Sequence, residues 1–179
     1  MKVTHQDRWS QHPNIAFDLS VLDIYGALCS GASLVPIEGR RDRLVPAEVV
    51  RRHGITIWDS VPSVIDLMQR AGHVTHEHLY SLRLMTFCGE PLLPTHLEAI
   101  FAARPDLVVH NTYGPTEATV SCTLIRLTSE NYRNACGVSV ALGDPIPHMR
   151  LHLVGGGNNH EGEIVLEGPQ VARGYWQDA

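Results

Sequence analysis

Residues 55–87 read ITIWDSVPSVIDLMQRAGHVTHEHLYSLRLMTF. Ile55-Thr56-Ile57-Trp58 has the β-branched and aromatic content of a strand. Pro62 opens a helix whose Val64, Ile65, Leu67 and Met68 include helically spaced apolar positions, and Gly72 closes it. Leu82 to Phe87 is strand-like again. Strand, helix and strand with short punctuated connections form a βαβ unit and predict a parallel pair.

The alternation continues on both sides. Upstream, a helix is predicted from Ser20, with Asp23 completing a capping-box pattern and Val21, Leu22, Tyr25 and Leu28 forming its apolar face, up to Gly31. Ser33 to Ile37 reads as a short buried strand, and Pro46 opens a helix from Ala47 to His53 that Gly54 stops. Downstream, Pro94 to Ala103 reads as a helix and Leu107 to Val109 as a strand. Beyond Pro115 the character changes. Thr119 to Ile125 has strand chemistry with no helix after it, and Met149 to Val154 pairs with Glu163 to Leu166 as a hairpin about Gly155 to Asn159. Residues 1–17 read as mixed polar sequence. The expected fold class is α/β, with a mostly parallel βα sheet over residues 1–130 and the start of an antiparallel β region over 131–179.

Composition narrows the function classes. The 179 residues hold Lys+Arg 14 against Asp+Glu 19, a net charge of −5, with 44% apolar residues, as an ordinary folded domain does. Without a basic excess or a long basic run, no nucleic-acid partner is expected. No apolar run approaches the ~18 residues of a membrane span and no signal-peptide core follows Met1, so no membrane partner and a cytoplasmic location are expected. Cys29, Cys88, Cys122 and Cys136 lack the close pairing of zinc or redox motifs and read as reduced, mostly buried thiols.

In an open parallel sheet, ligands bind beyond the carboxyl ends of the strands. That rule selects Asp59 and Ser60, then Cys88, Gly89 and Glu90, then Asn111 through Glu117. The third loop, Asn111-Thr112-Tyr113-Gly114-Pro115-Thr116-Glu117, suits a nucleotide with a metal: a ring to stack on a base, a hydroxyl for a phosphate and a carboxylate for Mg²⁺. A Gly-Pro turn followed by a Thr cap is the structural alternative. His73, His76 and His78 read as solvated side chains of a polar connection rather than metal ligands. Arg40, Arg41 and Arg43, interrupted by Asp42, read as a wet loop surface. Gly155-Gly156-Gly157 lacks the Lys-Ser/Thr pair of a phosphate cradle.

The run NTYGPTEATV at 111–120 resembles the most diagnostic internal motif of the amino-acid adenylation domains of nonribosomal peptide synthetases and stand-alone amino-acid activators, members of the adenylate-forming superfamily. FDLSVLDIYGALCSGASLV at 17–35, LRLMTFCGEPL at 82–92 and GEIVLEGPQVARGYW at 162–176 agree with that family in the same order. The resemblance implies a ligase that joins ATP and an amino acid into an aminoacyl adenylate. The acyl group would then pass to the phosphopantetheine thiol of a carrier protein. It further implies that Tyr113 stacks on adenine, Asn111 bonds it, and Gly89 and Gly114 approach the nucleotide. Thr116 would contact the α-phosphate, Glu117 would bind Mg²⁺, and Asp18 would pair with the α-ammonium of the substrate.

By the same resemblance, Leu19, Leu22, Asp59, Thr86, Cys88, Thr112, Val120 and Ser121 line the side-chain pocket. An unpaired buried carboxylate is costly, so Asp59 predicts a substrate side chain with a donor. The alternative turns Asp59 toward Ser60 or a backbone amide and leaves a small apolar pocket. Luciferase and acyl-CoA synthetase relatives share Tyr-Gly-x-Thr-Glu but take substrates without the ammonium, so Asp18 favours the amino-acid branch over an acyl-CoA synthetase-like ligase. The family's Ser/Thr/Gly-rich phosphate loop, its Thr-Gly-Asp segment and its small carboxyl-terminal subdomain with a lysine are not found here. The expectation is therefore a middle third of such an enzyme, inactive in isolation, with a non-catalytic remnant or binding module as the other reading.

Overall fold

The computed structural model describes residues 2–156 and 161–177. Seven strands form one sheet in the order β2-β1-β3-β4-β5-β6-β7. These are β1 (Arg8–Gln11), β2 (Ser33–Pro36), β3 (Ile57–Ser60), β4 (Leu84–Phe87), β5 (Val108–Tyr113), β6 (Thr123–Leu127) and β7 (Asp144–Pro145). β1 to β5 are mutually parallel, whereas β6 and β7 join antiparallel. β8 (Arg150–Val154) and β9 (Glu163–Glu167) form a separate antiparallel ribbon, as the hairpin reading expects; part of its connecting loop lies outside the described residues. The main sheet extends past residue 130, since Tyr132 and Val140 are buried in its core and β7 pairs with β6.

Helices cover both faces. Side chains on a strand alternate, so Ile57 and Leu84 join Trp9 and Ala27 beneath α1 (Leu19–Leu28). Trp58, Met85 and Phe87 point the other way, into the larger core. There they meet α3 (Pro46–His53), α4 (Ser63–Arg70), the short α5 (His76–Leu79) and α6 (Pro94–Ala103). The short α2 (Arg40–Leu44) stays on the surface. Pro46 stands at the start of α3 and Gly54 caps its end, as expected.

Three readings need correction. β1 was hidden in the polar run of 1–17. Its Trp9 and Ser10 are fully buried, and Ser10 Oγ accepts the Asp59 N–H at 3.0 Å, so a hydroxyl serves as a ladder partner where β1 and β3 barely pair. Ser20 and Asp23 form no capping box. Ser20 Oγ donates back to the Phe17 carbonyl, while Asp23 is buried and accepts the Trp9 indole N–H at 3.0 Å. The face of α1 that packs is Leu19, Ser20, Asp23 and Ala27, whereas Val21, Tyr25 and Leu28 are exposed. A helix apolar on two sides has no single legible face, and its sheet side is chosen by fit to the indole of Trp9.

Candidate active site

The parallel strands end along one edge of the sheet, and a cavity of about 490 Å³ opens there. Asp18, Leu19, Val61, Cys88, Gly89, Gly114, Thr116 and Val120 line it, with His12, Arg43 and Glu90. Asp59 and Ser60 close β3, and Asn111 to Tyr113 close β5, so these five are strand residues rather than loop residues.

Asp18 stands at the head of α1 without capping it. Its Oδ2 instead accepts the Val120 N–H at 3.1 Å, joining segments 102 residues apart. Val120 and Thr119 both have left-handed backbones, with φ of 69° and 51°. For β-branched residues such conformations persist only where neighbours over-determine them. Those neighbours are on the chain: the Cys88 thiol donates to the Val120 carbonyl at 3.3 Å, and the Gln170 amide donates to the carbonyls of Ala118, Thr119 and Ser121 at 3.2–3.3 Å. The Ala172 N–H adds a bond to the Glu117 carbonyl at 2.7 Å. Gly114 is required by close approach, because a Cβ there would lie 2.7 Å from the Val120 oxygen and 2.8 Å from Ser121 Cα. The loop after β5 is thus a pinned shelf at the cavity wall.

Glu117 faces a small adjoining cleft with Ala172, Gly174 and Tyr175, and Thr116 borders both spaces. Its exposed carboxylate is held below the usual carboxylate range, by its own backbone N–H first and then by the Tyr175 hydroxyl, which donates to Oε1 at 2.9 Å. An ionised oxygen donor at this edge fits a hard divalent cation.

The side-chain set expected from the resemblance divides. Leu19, Cys88 and Val120 reach the cavity as its apolar floor, backed by Leu22 and Val61. Thr112 and Ser121 are occupied internally: Ser121 Oγ donates to Thr112 Oγ1 at 3.0 Å, which donates to the Phe87 carbonyl at 3.0 Å. Asp59 and Thr86 lie behind the floor, buried on the α1 side of the sheet. Asn111 is also buried, its amide donating to the Ala141 carbonyl at 2.9 Å, and Tyr113 is half-buried one residue before the cavity lining begins. Burial pushes the Cys88 thiol up, which disfavours the reactive thiolate.

Asp59 does not turn to Ser60, whose hydroxyl accepts from Trp58 and donates to the Val61 carbonyl. Among the described residues, both Asp59 oxygens and Asp23 Oδ2 lack a donor. The two carboxyl groups face each other, and burial raises both, with Asp59 raising Asp23 further. They satisfy one another when a proton lies between them. Sequence reasoning missed Asp23 in this role because its position resembled a cap. It also missed Gln170 and Tyr175, whose only signal was their place in the fourth motif block, and Arg43, read as a wet loop.

Residues 1–176 match the AMP-binding enzyme family. The chain belongs to that family. It is 34% identical over 180 residues to the D-alanine–D-alanyl carrier protein ligase of Listeria welshimeri, spanning 94% of this chain and 34% of that one. It is 36% identical over 188 residues to the L-proline–[L-prolyl-carrier protein] ligase of Streptomyces coelicolor, spanning 100% of this chain and 35% of that one. The fold matches the crystal structure of IdnL7 with a TM-score of 0.89 at 31% identity, covering 98% of this chain and 36% of that one. It also matches the Vibrio cholerae adenylation domain AlmE, solved with glycyl-adenosine-5'-phosphate, with a TM-score of 0.82 at 34% identity, covering 98% and 34%. This AMP-binding segment therefore spans about a third of the length of the curated relatives it matches. Among its described residues, no helix is long and apolar enough to cross a membrane.

Proposed function

We propose that this segment forms the substrate- and adenylate-binding core of an ATP-dependent ligase that activates an amino acid and loads it onto a phosphopantetheinyl carrier protein. The observation that carries this reading is the placement of Asp18 and Thr116 on one cavity, an acid for an ammonium beside a hydroxyl for a phosphate. The carrier-protein ligases among its relatives support it.

Each residue then has a task. Asp18 pairs with the α-ammonium of the substrate and, through Val120, ties the substrate site to the loop after β5. Gly89 and Gly114 line the cavity and let the nucleotide approach the backbone, and Tyr113, half-buried one residue before that lining, is assigned to the adenine by its place in the motif. Thr116 contacts the α-phosphate, while Glu117 holds Mg²⁺, which offsets phosphate charge when bound. Asn111 acts by anchoring the backbone at Ala141. Positioning of this kind supplies most of the rate in phosphoryl and adenylyl transfer.

The substrate side chain is small and apolar. The expectation of a donor on it rests on Asp59 lacking a partner, and a proton shared with the neighbouring Asp23, whose carboxyl burial also raises, would satisfy it inside the fold instead. Of the side-chain set expected from the resemblance, Leu19, Cys88 and Val120 are what line the cavity, with Val61 beside them. The test is amino-acid-dependent pyrophosphate exchange by an enzyme of the relatives' full length carrying this segment. Glycine, alanine or proline should outperform lysine, glutamine and serine, and Glu117→Gln should lower the rate roughly 10²-fold. Preference for a donor-bearing side chain that Asp59→Ala abolishes would overturn the substrate assignment.

A further inference from the structure

On the face of the sheet opposite α1, two histidines that the sequence left as solvated are drawn together with an acid. Glu48 on α3 and the His73 and His78 side chains each bring one ligand atom, and these three atoms lie within 4.8 Å of one another. All three residues are partly buried. His78 is held from both sides of its ring: Nδ1 lies 2.8 Å from Thr75 Oγ1, and Nε2 lies 3.2 Å from Glu48 Oε1. Thr75 Oγ1 also accepts the His78 backbone N–H. Glu48 divides its oxygens, Oε2 taking Arg51 at 2.9 Å and leaving Oε1 toward the imidazole. The His73 ring stacks on that of His78 with centroids 4.3 Å apart, and its Nδ1 is buried with no hydrogen-bond partner among the described residues.

We propose that Glu48, His73 and His78 form a binding site for a divalent transition-metal ion, zinc foremost. Two imidazole nitrogens and one carboxylate oxygen are a zinc donor set with a fourth position left for water. In the tautomer whose Nδ1–H donates to Thr75, His78 Nε2 turns a lone pair toward Glu48 Oε1 at 3.2 Å, and a bound cation would then take the place of the proton that otherwise joins these two atoms. Thr75 is then the outer partner that fixes the tautomer of a metal-bound histidine. The unpartnered His73 nitrogen gains a ligand where it now has none. Tetrahedral ligands sit roughly 3.3 Å apart, so the His73 ring would turn out of its stack on His78 to complete the set. The ion pins α3 to α5 and to the turn that ends α4, on the layer opposite α1, so it serves stability.

The test is calorimetric titration of the chain with Zn²⁺, alongside cobalt(II) absorption and the melting temperature. One ion per chain is expected, with a tetrahedral cobalt spectrum and a rise in melting temperature. His73→Ala and His78→Ala should each weaken binding at least tenfold, and Thr75→Val by roughly tenfold. His152→Ala should leave it unchanged, since His152 pairs with Glu167 at 3.5 Å and belongs to no three-ligand group among the described residues. Circular dichroism establishes that each variant is folded. Zinc binding that survives both histidine variants, or an absence of stoichiometric binding to the folded wild type, would overturn the site.

Discussion

At residue scale the buried acids Asp23 and Asp59 govern how stability follows pH. Burial raises both above the ordinary carboxylate value, so the folded state holds a proton that the unfolded chain releases. The stability they contribute is fully present below the unfolded value, near 4, and is lost as pH rises toward the raised folded value. Asp7 has the opposite sign. Arg83, paired with it at 2.6 Å, holds it below the usual carboxylate range, so its contribution is present above that range and lost as pH falls. Asp59→Asn should therefore raise the melting temperature at pH 9 by at least about 2 °C and change it less at pH 5. Equal shifts at both pH values, followed by calorimetry, would show that the pair does not hold a proton.

At the scale of elements, the packing of α1 on β1 depends on a missing side chain. A Cβ at Gly26 would lie 2.4 Å from the Trp9 ring, which α1 also grips by the bond from indole to Asp23. Gly26→Ala should destabilise the chain by about 1–3 kcal/mol despite alanine's better helix propensity, measured by urea unfolding. A neutral or stabilising result would mean that α1 can slide on the sheet. The same pair shows what was legible beforehand. The helices opened by Pro46 and Pro94, and the one closed by Gly72, were readable because breakers mark their ends. β1 was not, because Arg8, Ser10 and Gln11 give no apolar alternation and Ser10 is buried through a hydrogen bond to another strand. The site was legible where chemistry lies in a contiguous motif, as with Gly114 and Thr116 on the cavity. It was not legible where partners are distant in sequence, as with Asp23 facing Asp59 or Gln170 clamping the loop after β5.

For the molecule as a whole, the outer side of α1 and the turn before it present Ile15, Phe17, Tyr25 and Leu28 at 63–75% exposure. Apolar surface grouped in this way favours association. The 179-residue chain should self-associate with rising concentration, and Tyr25→Lys with Leu28→Lys should reduce this in light scattering. A monodisperse monomer across the range would contradict it. At the amino-terminal end of α1, Asp18 is assigned the charge that separates amino acids from other carboxylic acids. The direct measurement compares the preferred amino acid with its deaminated analogue in pyrophosphate exchange, using an enzyme of the relatives' length with and without Asp18→Ala. The expected result is a fall of roughly 10²-fold or more for the amino acid, whose ammonium no longer meets a carboxylate, and a distinctly smaller fall for the analogue, which loses only the tie of Asp18 to Val120. Equal activity of the wild type on both acids, or an equal fall on both in the variant, would contradict the assignment of this cavity to an amino-acid substrate.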